Sequence, residues 1–167
     1  MRPALRRLVV IVVLLLSFSL SQQLAVAGNG GQGSFEHLAV VRGHSMEPLL
    51  HTGDIVLLEK KDPADIAVGD IVVYRWGSTY VIHRVAYVYR YAGRWCYVVW
   101  GDNRLTNPIP DPGDPLICGS VAFRDPVSGA LVEASGIPYS WVIGVVVSFH
   151  GMTLKIPYLG GLALLVR

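Results

Sequence analysis

Val, Ile, Tyr and Trp dominate the stretch from Thr79 to Trp100, and they restrict this chain more than any other feature of it. Branched and aromatic side chains fit a pleated, half-buried surface, so the stretch reads as a long hairpin: Tyr80 to Tyr91, a turn at Ala92-Gly93-Arg94, then Trp95 to Trp100. A chain with such a centre is mainly β. Further strands are expected at Ile55 to Glu59, closed by Lys60-Lys61-Asp62-Pro63, and at Ile71 to Trp76, opened by Gly69-Asp70. Trp141 to Phe149, a nearly continuous apolar run interrupted by Gly144, fits a buried strand, with Met152 to Ile156 as a candidate partner. The aromatic residues are assigned to packing within the sheet; the alternative is a belt resting on lipid headgroups.

At 167 residues the chain allows one modest domain plus an appendage. A net charge of +2 gives no reason to expect nucleic acid as a partner. Arg2, Arg6 and Arg7 precede an apolar run from Leu8 to Leu20, extended by Leu24-Ala25-Val26-Ala27. Residues 1–27 therefore read as a single transmembrane helix, its basic end cytoplasmic and everything after Ala27 outside. The rival is a cleaved signal peptide ending at Ala25-Val26-Ala27. Residues 28–34 are a glycine-rich linker, and the β-rich domain occupies residues 35–167. The tail Leu162 to Val166 is too short to span a bilayer. Two cysteines, Cys96 and Cys118, are too few for a disulfide scaffold and lack metal-ligand spacing; a mutual bond and two buried thiols both remain open.

Arg42 to Asp54 carries the chemistry. Ser45 ends an apolar run, Leu38 to Val41, with glycine and proline on either side, as when a strand hands a nucleophile to a turn. A serine hydroxyl needs a base to take its proton, and His83, inside the Tyr80 to Val85 strand, is the candidate. Gly101-Asp102-Asn103, followed by Asp111 and Asp114, offers carboxylates to orient an imidazole. Ser45-Met46-Glu47-Pro48, Gly53-Asp54, His83-Arg84 and Gly101-Asp102-Asn103, in that order, resemble the successive sequence boxes of signal peptidase I. The branch resembled is the one of archaea, the endoplasmic reticulum and some bacteria, with histidine in place of lysine. The likeness covers roughly residues 5 to 123 and resumes from Trp141 to Gly160.

The resemblance implies a signal-peptidase-like β domain behind a membrane anchor, and a serine endopeptidase that removes signal peptides from exported preproteins. Substrates with Ala-x-Ala cleavage sites and contact with membrane lipid are implied as well; neither cofactor nor metal is called for, and no partner subunit can be named. Asp102 would support the site, and a second aspartate would orient His83. Asp111 is the first choice, because Asp111-Pro112 closes the nearer turn, and Asp114 the second. The Ser45 amide is the natural first oxyanion donor. Many relatives carry a hydroxyl two positions before the nucleophile, where this chain has Gly43, so a backbone amide there or the side chain of His44 would have to stand in. None of the lysines, Lys60, Lys61 and Lys155, occupies the position before Arg84, so the base is histidine or absent.

Relatives run more directly from Gly-Asp-Asn to their closing strand, which makes roughly residues 116–135 an insertion. Arg104 to Pro115, with four prolines, should be a rigid loop. His37, His44, His51 and His150 are scattered, against a zinc site. Two other classes compete. A self-cleaving repressor also places serine after a glycine-containing turn, but needs a lysine base and a DNA-binding domain. An inactive membrane-tethered β module of the same fold would act only in protein contacts.

Overall fold

The computed structural model describes residues 35–159. The proposed anchor and linker, residues 1–34, and the tail from residue 160 onward lie outside the described residues. Among those described, no helix is long and apolar enough to cross a membrane.

The domain is mainly β. Its principal sheet takes in β1 (Phe35–Val40), β2 (Ile55–Glu59), β3 (Ile71–Trp76), β4 (Thr79–Tyr91) and β5 (Arg94–Trp100). After the single helical turn α1 (Pro115–Cys118), the chain makes β6 (Ser120–Arg124), β7 (Leu131–Ser135) and β8 (Ile137–Pro138). A 3-10 turn at Tyr139–Trp141 leads into β9 (Val142–Val146), followed by β10 (Ser148–Phe149), β11 (Met152–Thr153) and β12 (Lys155–Ile156). The order across the principal sheet is β1-β2-β9-β3-β4-β5-β8, with β12 also paired to β2. Each of these pairings is antiparallel.

The hairpin forms where its composition places it, and Ala92 and Gly93 alone make the turn, both at positive φ. Successive strand residues face opposite sides, so the two sides of the sheet acquire separate cores. Ile71 and Val73 pack with Val41, Met46, Leu50, Val56 and Leu58 on one side. Val72, Tyr74 and Val85 pack with Tyr97, Val99 and Val145 on the other. Tyr74, Tyr97 and Trp100 are buried, as sheet packing requires, whereas Tyr80 and Tyr91 are exposed.

Two expectations need correction. The run from Trp141 to Phe149 is not one buried strand: β9 stops at Val146, and Ser148–Phe149 pairs instead with Met152–Thr153 in an exposed two-stranded hairpin. His150 and Gly151, both at positive φ, turn the chain there, and this local turn competes successfully with continuation of β9. Pro115, expected in the loop, opens α1, where a proline fits because the first helical amides have no intrahelical acceptor. Residues 116–135, expected as an insertion, hold most of α1 and the β6–β7 hairpin, a sheet of its own. Phe123 of β6 fixes it to the body by packing with Ala86, Val98 and Trp100. Cys96 and Cys118 are joined in a disulfide, which ties α1 to β5.

Candidate active site

Ser45 sits in the turn after β1. That turn is held from inside by Val41, whose amide donates to the Asp54 carbonyl at 2.8 Å and whose carbonyl accepts from Gly53 at 2.9 Å. Met46 and Leu50 anchor it in the core. From outside, the segment after β5 clamps it: the Asn103 amide donates to the Ser45 carbonyl at 2.9 Å, and Asn103 Nδ2 donates to the His44 carbonyl at 3.0 Å. Gly101 makes this approach possible, since a Cβ there would lie 2.7 Å from the Ser45 carbonyl oxygen and 2.6 Å from Asn107 Nδ2.

His83 enters from β4, opposite Val72, and is 5% exposed. Its Nδ1 is hydrogen-bonded to Asp111 Oδ2. That bond leaves Nε2 as the nitrogen free to exchange a proton with a nucleophile or a leaving group. The Asp111 amide donates to the Val99 carbonyl at 3.0 Å, which brings the prolyl loop back over the sheet beside His83. Tyr74 donates its hydroxyl to the same Asp111 oxygen at 2.7 Å.

Met46, next to Ser45, packs on the side of the sheet that carries Val73, whereas His83 shares the side of Val72. β5 ends at Trp100, opposite Arg84, so β4 has no β5 partner at His83. Gly101 and the Ser45 carbonyl occupy the ground just past that last pair. Ser45 also lines a cleft of about 240 Å³ whose walls are residues 39–42 on one side and Val73 with Tyr80, Val81 and Ile82 on the other. His83 follows directly. Among the described hydrogen bonds none joins Ser45 to His83.

The remaining sequence candidates fall to different tasks. Asp102 grips Arg84 in a two-pronged pair, Nε to Oδ1 at 2.8 Å and Nη2 to Oδ2 at 2.7 Å, which pushes the guanidinium's ionisation still higher. Arg84 Nη1 also donates to the Gly69 carbonyl at 2.7 Å, so this pair braces β4 one residue past His83. Asp114 does not reach the imidazole. Its carboxylate caps α1, accepting from the amides of Leu116 at 2.9 Å and Ile117 at 3.1 Å, because the helical turn beginning at Pro115 needs an acceptor there. His44 turns its Nδ1 to Glu47 Oε1 at 2.7 Å, and the Gly43 amide donates to Thr52 Oγ1 at 2.9 Å, so both groups are already engaged. The Ser45 amide donates to no acceptor in the described structure and stands ready for an oxyanion.

Sequence reasoning passed over Tyr74, Asn103 and Asn107 as site residues. Tyr74 left a faint signal, one hydroxyl in the otherwise apolar side of β3. Two of the three lysines are occupied elsewhere: Lys61 pairs with Asp70 at 3.1 Å, and Lys155 with Asp54 at 2.9 Å. Among the described residues no cluster of His, Cys, Asp and Glu could hold a metal ion.

A family model described as Peptidase S24-like matches residues 20–95. Over that stretch the chain resembles the Peptidase S24-like family. The match takes in both Ser45 and His83, and it supports the superfamily shared by S24-like peptidases and signal peptidases. It stops short of the 101–111 loop, so the place of Asp111 beside the imidazole stands on geometry alone. The match supports a serine-peptidase character for the fold.

Proposed function

We propose that this protein is a membrane-bound serine endopeptidase that removes signal peptides from exported preproteins, with Ser45 as nucleophile and His83 as general base. The observation that carries the proposal is the His83–Asp111 hydrogen bond at the edge of the sheet where Ser45 is clamped. Ser45 Oγ attacks the carbonyl of the scissile peptide bond while His83 Nε2 takes its proton, and the Ser45 amide stabilises the oxyanion. The imidazolium, steadied by Asp111, then gives that proton to the leaving amine. Water activated by the same nitrogen hydrolyses the acyl enzyme and returns the hydroxyl to Ser45.

The cleft beside Ser45 suits an extended peptide laid against the strands, with small apolar residues entering between Val41, Val73 and Ile82. An extracytoplasmic domain agrees with the Cys96–Cys118 disulfide, since such bonds persist in oxidising compartments. Lipid contact finds support in the exposed Phe149, Met152, Ile156, Tyr158 and Leu159. In this reading residues 1–27 anchor the enzyme with its N-terminus cytoplasmic.

The test is cleavage of a preprotein with an Ala-x-Ala site in detergent by wild type, Ser45→Ala and His83→Ala. Each variant is expected to lose on the order of 10³-fold or more in kcat/KM. A wild type no more active than its variants would favour the inert β module, for which the altered residues at Gly43 and His44 argue.

A further inference from the structure

Tyr74 is 1% exposed, and a buried phenol requires a partner for its hydroxyl. Tyr97, equally buried in the same core, uses a backbone carbonyl, that of Pro63 at 2.7 Å. Tyr74 instead takes the carboxylate that holds the imidazole. The register explains how. Val72 lies opposite His83 and Tyr74 opposite Val81, so Tyr74 and His83 are diagonal neighbours on one side of the sheet and reach toward the same point. Burial, and then the negative charge of Asp111, push the ionisation of Tyr74 far upward, so its hydroxyl remains a protonated donor.

We propose that Tyr74 is a positioning residue of this site, its hydroxyl fixing the Asp111 carboxylate so that His83 keeps Nδ1 on Asp111 and Nε2 toward Ser45. The role presupposes the peptidase chemistry proposed above. Asp111 comes from a loop without regular secondary structure and is partly exposed, so with a single partner it could rotate toward solvent. Two donors converging on one oxygen hold it in a single orientation. Because Tyr74 does not line the cleft beside Ser45, removing its hydroxyl should slow the chemical step without weakening substrate binding.

The experiment compares Tyr74→Phe with Tyr97→Phe, which deletes a hydroxyl of matched burial away from the site. Two quantities are read on the full-length protein: steady-state cleavage of a peptide with an Ala-x-Ala site, and the NMR resonance of the proton on His83 Nδ1. Tyr74→Phe is expected to lower kcat about tenfold with KM unchanged, as loss of an outer partner does at other sites, and to shift the resonance upfield. Tyr97→Phe should do neither. Equal losses in the two variants, or an unmoved kcat and resonance in Tyr74→Phe, would overturn the assignment. If wild type cleaves no better than Ser45→Ala, the peptidase reading fails by itself. The resonance then decides alone whether Tyr74 holds the Asp111–His83 unit, a shift supporting it and an unmoved line overturning it.

Discussion

Asp111 and Asp114 lie in one proline-rich loop and would look interchangeable to any pattern, yet they have opposite fates. Asp111 carries the hydrogen bonds of His83 and Tyr74, whereas Asp114 is spent on two amides of α1. Their substitutions should therefore separate activity from stability. Asp111→Asn would leave an amide that can present its N–H to the imidazole and stabilise the wrong tautomer, so kcat should fall on the order of 10³-fold with the fold retained. Asp114→Ala should keep kcat within about twofold and lower unfolding free energy by about 1 kcal/mol, the usual cost of a lost cap. Peptide cleavage and urea titration of the two variants check both halves; an inactive Asp114→Ala beside an active Asp111→Asn would reverse the assignment. Ser45, His83 and Asp102 could be singled out as candidates because each stands in a short box with glycine or arginine beside it. Tyr74 was not, since its partner lies 37 positions away and only the folded register brings them together.

Among the elements, strands with β-branched or aromatic runs and a glycine at the turn could be read off the chain, β4 and β5 above all. What escaped was where a run stops. β9 ends because His150 and Gly151 favour a turn, a choice between two local conformations that apolar content does not register. The segment of α1 and the β6–β7 hairpin was visible only as an excess of residues, and its structure shows how it is secured: Phe123 in the core, Arg104 reaching Asp125 at 3.1 Å, and the disulfide from Cys118 to Cys96. The cysteines could not be paired from sequence because both alternatives bury sulfur. A bond spanning a separation of 22 residues should restrict the unfolded chain appreciably. Cys96→Ala/Cys118→Ala is accordingly expected to lose about 3 kcal/mol, measured by urea titration under oxidising conditions. Loss of much less than 1 kcal/mol would mean that α1 and the hairpin are held by packing alone.

At the scale of the whole molecule, two buried carboxylates sit where separate pieces of chain are joined. Asp54, fully buried, accepts from the His51 amide at 3.0 Å, from Lys155 Nζ at 2.9 Å and from the Tyr158 amide at 3.2 Å, so it fastens the segment after β11 to the turn that carries Ser45. Asp125, 3% exposed, accepts from Ser128 Oγ at 2.6 Å and pairs with Arg104, fastening the β6–β7 hairpin to the loop that carries Asp111. Burial alone would push both carboxyls upward. At Asp54 the donors from His51, Lys155 and Tyr158 outweigh it, and at Asp125 those from Ser128 and Val127 with the charge of Arg104 do, so both are held below the ordinary carboxylate value. A carboxyl whose folded-state value is depressed contributes stability that is complete above its unfolded value, about 4, and is lost as pH falls from there through the folded-state value. Urea midpoints should therefore stay level from pH 7 to about 5 and drop progressively below about 4. Asp54→Asn and Asp125→Asn should each begin lower at pH 7 and fall less steeply on acidification, because each has already given up the ionised form that acid removes. A double variant whose midpoint declines as steeply as wild type between pH 4 and pH 2 would show that these two joints do not set the acid limit of the fold.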